Sequence, residues 1–66
     1  MTSTEKIAQG ILLILKYEPG AQTYAEHDEI YCGAYNPDLM TPEDRTKMEE
    51  WGWLESTEFD CWYHFT

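Results

Sequence analysis

The apolar residues Ile7, Ile11, Ile14 and Leu15 recur at three- and four-residue intervals, with Ala8 and Leu12 widening the stripe. That spacing gathers them on one face of a helix. Thr2, followed three residues later by Glu5, has the form of a capping box, which satisfies two N–H groups that a helix start leaves unpaired. The pattern predicts a helix from about residue 3 to Tyr17, stopped by Pro19-Gly20. Leu13 falls off the stripe and is expected to pack under the following loop or to face a partner.

The rhythm then changes. Thr23-Tyr24-Ala25 and Ile30-Tyr31-Cys32 have strand character, and the polar run His27-Asp28-Glu29 stands between them. The run reads as a bulge in one irregular strand, with the tip of a small hairpin as the alternative. Residues 33–38 read as a loop. Thr41 suits a helix N-cap, Pro42 the first helical position, and Glu43 and Asp44 the positive end of the helix dipole. This second helix is expected to end at Glu50 or Trp51, where Gly52 takes the left-handed position. Trp53-Leu54-Glu55 and the stretch from Phe59 to Phe65 then read as a hairpin across Ser56-Thr57-Glu58. In the last strand Phe59, Cys61, Tyr63 and Phe65 share one face, and Asp60, Trp62 and His64 share the other. The order α-β-α-β-β predicts a single α+β domain over residues 1–66, a three-stranded antiparallel sheet with two helices packed on one face.

Size and composition sharpen this picture. A chain of 66 residues builds one small core and leaves little material for a deep catalytic pocket. Its aromatic content of 15% separates it from a disordered acidic tail, and the rings of Trp51, Trp53, Trp62, Phe59 and Phe65 are available to the core. The apolar run Ile11–Leu15 is far shorter than the ~20 residues a bilayer requires, and Met1–Lys6 lacks a basic targeting segment, so a cytoplasmic chain is expected. Cys32 and Cys61 then read as reduced, buried thiols.

Four residues, His27, His64, Cys32 and Cys61, are of metal-ligand type, but they occur singly, without the paired spacing of a structural zinc site. No calcium-loop pattern occurs. Glu26-His27-Asp28-Glu29 sets an imidazole among carboxylates, yet no nucleophile, oxyanion hole or phosphate loop accompanies it. The sequence predicts neither enzyme nor cofactor.

Charge is the most unusual feature: 13 acids against 4 bases give a net charge of −9. That sign disfavours direct contact with nucleic acid and with an anionic membrane, and it favours a basic protein partner. Duplex DNA carries one negative charge per ~1.7 Å of axis, a field that a dense carboxylate surface imitates. On this reading Glu26, Asp28, Glu29, Glu43, Asp44, Glu49 and Glu50 act as phosphate substitutes, and Tyr31, Tyr35 and Trp62, left outside the core, are aromatic anchors among them. Self-association through Leu13, Trp62 or an exposed last strand is the alternative, so the expected state is monomer or homodimer.

The size, acidity and element order, with the phrases Ala25-Glu26-His27-Asp28-Glu29-Ile30-Tyr31 and Leu54-Glu55-Ser56-Thr57-Glu58-Phe59-Asp60-Cys61-Trp62, resemble small accessory proteins of bacteriophages and mobile elements. Among these are anti-CRISPR proteins and other counter-defence inhibitors, several of which are DNA mimics. The resemblance implies a partner such as a CRISPR effector or another nucleic-acid-binding complex, and it assigns no individual residue.

Overall fold

Local chemistry sets both helices. A computed structural model describes residues 1–34 and 39–65 of the chain. Helix α1 spans Ser3–Tyr17. Its capping box is formed: the Glu5 N–H donates to Thr2 Oγ1 and the Thr2 N–H to Glu5 Oε1, both at 3.1 Å. Helix α2 spans Pro42–Glu50, with Thr41 as N-cap accepting the Asp44 N–H at 3.2 Å. At its other end Gly52 takes φ 86. There the Gly52 N–H donates to the Glu49 carbonyl (3.0 Å) and the Trp53 N–H to the Met48 carbonyl (2.9 Å). These paired bonds are a Schellman motif, and its usual apolar contact is supplied by Met48 and Trp53, both fully buried in one cluster.

The sheet differs from the expected one. It has four antiparallel strands, β1 (Thr23–Glu26), β2 (Glu29–Cys32), β3 (Leu54–Ser56) and β4 (Cys61–Phe65), in the order β1-β2-β4-β3. The chain therefore runs α-β-β-α-β-β, and the irregular strand expected over residues 23–32 is a hairpin. Glu26 and Glu29 face each other across a two-residue turn, His27-Asp28. His27 takes φ 54, a left-handed conformation that Asn, Asp and His enter more readily than other non-glycine residues. A second left-handed residue, Asp60 at φ 52, closes the β3–β4 turn, where the Ser56 hydroxyl accepts the Phe59 N–H at 3.2 Å. The final strand is not an edge: β4 lies between β2 and β3, and β1 and β3 are the outer strands.

Both helices contribute to the same core. Ile14 of α1 and Met48 of α2 meet Cys32, Trp62, Trp53 and Met40 in one buried cluster. Two cross-strand pairs, Ile30–His64 and Cys32–Trp62, define the inner face of the sheet that looks onto them. Trp53 is fully buried, and its indole N–H donates to the Lys6 carbonyl of α1 at 3.2 Å. The ring lies against Gly10, whose missing side chain makes room for it. His64 is also buried; its Nε2–H donates to the Trp51 carbonyl at 2.8 Å, tying the end of α2 to β4. Leu13 is partly buried and packs against the cluster.

Candidate functional site

Side chains alternate across a strand, so the residues between those of the inner face form the opposite, outer face. The register aligns Tyr24, Tyr31, Tyr63 and Leu54 in one row across all four strands, and Glu26, Glu29 and Phe65 in the next. The helices occupy the inner side, and the rings of the outer row rest on one another. Tyr24 stacks on Tyr31 at 4.9 Å, with 18° between the planes, and Tyr31 and Tyr63 lie 6.3 Å apart with a 33° tilt. Two further rings stand nearly upright on this floor: Phe59 at 81° to Tyr31 and Phe65 at 84° to Tyr63. Tyr24, Phe59 and Phe65 each keep more than half of their surface exposed. A contiguous aromatic patch on the solvent side of a small domain marks an interaction site more often than it marks misplaced core.

The rings and the turn after β3 border an open cleft of about 310 Å³ lined by Tyr31, Phe59, Tyr63 and Phe65, with Glu29 and Glu58 among its walls. Glu29 accepts a hydrogen bond from the Tyr31 hydroxyl. That bond, with burial and the charge of Glu29, pushes the phenol up to about 12, so Tyr31 stays a neutral hydrogen-bond donor. Glu55 also lines the cavity, but its carboxylate takes Arg45 at 3.3 Å. Glu29 and Glu58 have no Lys or Arg partner among the described residues. Glu26 and Glu29 oppose each other across the hairpin, a like-charge pair that weakens the sheet unless a cation relieves it.

The residues singled out from sequence separate into three groups. Glu26, Glu29 and Tyr31 do sit together on the outer face, with Asp28 at the adjoining turn. Tyr31 is shielded there by neighbouring rings and is not the protruding anchor expected. Glu43, Glu49 and Glu50 are exposed on α2, in the helical layer on the other side of the sheet, so the seven acids do not form one surface. Asp44 and Trp62 are corrected outright. Asp44 is buried, where it accepts the Tyr17 hydroxyl and pairs with Lys16 (3.3 Å) and Lys47 (3.7 Å). The Tyr17 hydrogen bond and the two ammonium groups outweigh the cost of burial and hold its carboxyl below the usual range. It is a structural anion, since its charge is already answered. Trp62 is 3% exposed, because its side of β4 faces the helices. Tyr35 lies outside the described residues.

Self-association through Trp62 or the edge of the last strand loses those contacts, as Trp62 is buried and β4 is paired on both sides, while Leu13 is partly buried against the core cluster. Phe59 and Phe65 were expected in the core and lie on the outer face, exposed. Together with Tyr63 and Glu58 they are the residues of the site that sequence reasoning missed. The signal present was the shared parity of Cys61, Tyr63 and Phe65, which grouped them without saying which side the helices cover.

The histidines and cysteines do not converge. His27 is exposed, His64 is bonded to main chain, and among the described residues no three His, Cys, Asp or Glu side chains are placed to hold a metal. Both cysteines are free and buried. Among the described residues no helix is long and apolar enough to cross a membrane. No family model matches the sequence, and neither a curated protein nor a solved structure matches it.

Proposed function

We propose that this chain is a non-catalytic binding domain that docks onto a basic, nucleic-acid-binding surface of another protein and occupies it in place of nucleic acid. This is how a phage-type counter-defence inhibitor acts on a defence complex in the host cytoplasm. One observation carries the reading: the outer face of the sheet presents exposed rings bordered by Glu29 and Glu58, two carboxylates that no Lys or Arg among the described residues neutralises. The net charge of −9 adds long-range attraction toward a basic partner, which speeds encounter. The rings supply contact area that charge alone lacks, since hot spots of interfaces are rich in Tyr and aromatic neighbours that exclude water. The outer face and the hairpin turn make the contact. The acids of α2, on the other side of the sheet, contribute steering.

The test is affinity capture on the immobilised chain from a bacterial lysate carrying CRISPR and restriction systems. A nucleic-acid-binding complex is expected on the resin, released by raised salt and competed by duplex DNA. Glu26→Lys with Glu29→Lys should abolish its capture, whereas Glu49→Lys with Glu50→Lys should slow association and leave the bound state largely intact. Capture indifferent to salt, to DNA and to both pairs of charge reversals sinks the proposal.

A further inference from the structure

The aromatic cavity has the shape and electronics of a receptor for a single cation. Its floor is two tyrosine rings, Tyr31 and Tyr63, and its walls are Phe59 and Phe65 set nearly perpendicular to them. A cation entering the cleft meets the exposed rings of Phe59 and Phe65, and the face of such a ring carries the negative lobe of an aromatic quadrupole. The Tyr31 hydroxyl donates to Glu29, which holds that carboxylate beside the rings. Glu29 and Glu58 supply formal negative charge at the rim. A cavity of about 310 Å³ is large for an ion and small for a folded segment, and it suits one long side chain.

We infer that this cavity is a cage for one arginine side chain projecting from the partner's basic surface. The inference rests on the docking reading above and names the contact that reading turns on. Arginine fits better than lysine for two reasons. A planar guanidinium stacks flat on a ring face and is more weakly hydrated than an ammonium, so it gives up less water on entry. Its forked N–H groups also reach a carboxylate while the plane remains stacked, which engages the rings and the rim together. Once the side chain is seated, the like-charge strain between Glu26 and Glu29 is relieved by a positive charge beside them. The rest of the acidic surface then orients the partner, and the cage fixes its register.

The test uses the full chain and short acetylated Gly-Arg-Gly peptides followed by amide NMR. Three probes are compared: the arginine peptide, its citrulline counterpart, which keeps the shape and loses the charge, and its lysine counterpart. Shifts are expected on Tyr31, Glu58, Phe59, Tyr63 and Phe65, with binding about tenfold weaker for citrulline and weaker also for lysine. Phe65→Ala and Glu58→Gln alter exposed side chains, so the fold survives them, and each should weaken the arginine peptide by several-fold or more. Equal binding of citrulline, or shifts spread over α2 with the cavity silent, overturns the cage. A silent cavity alongside retained, DNA-competed capture of a complex removes the cage and leaves the docking reading standing. An arginine-selective cavity alongside capture that duplex DNA does not compete upholds the cage and removes the docking reading.

Discussion

Replacing Gly10 by alanine puts the packing of α1 to a severe test. In an exposed helix the change gains about 1 kcal/mol, because alanine is the better helix former. Here the new methyl would lie 1.9 Å from Trp53 Nε1 and 2.5 Å from Cδ1 and Cε2, against the 3.4 Å or more of ordinary contact. The methyl meets the rigid indole itself, so the ring must move as a body. Overpacking of this kind costs about 1–3 kcal/mol. The movement also breaks the hydrogen bond from the indole N–H to the Lys6 carbonyl and leaves a buried donor unpaired, a further ~1–3 kcal/mol. After the helix gain is subtracted, the expected loss is roughly 3 kcal/mol. A chain of 66 residues has only about 3–10 kcal/mol of stability in total.

Urea unfolding monitored by tryptophan fluorescence reads this directly. With a slope of about 1 kcal/mol per molar urea, the midpoint should fall by roughly 2–3 M. Gly20→Ala is the matched control: nothing lies within 4 Å of a Cβ there, and the change should be neutral or stabilise by up to about 1 kcal/mol. In a Trp53→Phe background the penalty at Gly10 should shrink by more than about 1 kcal/mol, as contacting residues couple. A Gly10→Ala protein as stable as wild type would mean that the indole does not lie across α1, and the account of the core would fail with it.

Two other expectations follow from the ionisable groups. The carboxyl of Asp44 is held low by Tyr17, Lys16 and Lys47, so its contribution is present above the ordinary carboxylate value, about 3.9, and disappears as pH falls through the lower folded value. Asp44→Asn should therefore be less stable than wild type near neutrality, with the gap closing in acid; a gap independent of pH would refute the pairing. Burial pushes the Cys32 thiol up to about 11, so Cys32 should react with Ellman's reagent only through unfolding, at a rate that tracks urea concentration. Rapid labelling of Cys32 in the native protein would contradict its place in the core.

What was legible in the sequence was what short-range chemistry determines. Thr2 with Glu5, Thr41 with Pro42, and Gly52 each act within four residues, and the helices they bound begin and end where those residues place them. The first hairpin was hidden because its left-handed residue is a histidine. Without a glycine or asparagine to mark a turn, His27-Asp28-Glu29 resembles a bulge as much as a reversal. The identity of the inner face was hidden for another reason. Alternation sorts Trp62 and His64 from Tyr63 and Phe65, but only the approach of α1 and α2 decides which set is covered. Asp44 likewise reads as an ordinary first-turn acid until Tyr17 and Lys16 arrive from a distant helix. The aromatic cleft could not be seen in advance, since Tyr31 and Phe59 come from different hairpins.

The strand order also has a kinetic consequence. Each hairpin closes a short turn and can form within microseconds, whereas β2 and β4 pair only after the chain between them, with all of α2, has been gathered in. That closure costs chain entropy before any contact repays it, so docking of the two hairpins is the natural bottleneck of folding. Until it occurs β2 and β4 expose unpaired edges, and the aromatic floor is split between two halves that have not met. The outer aromatic face is therefore the last part of the molecule to form, and a chain caught short of that step has neither a finished sheet nor an aromatic cleft.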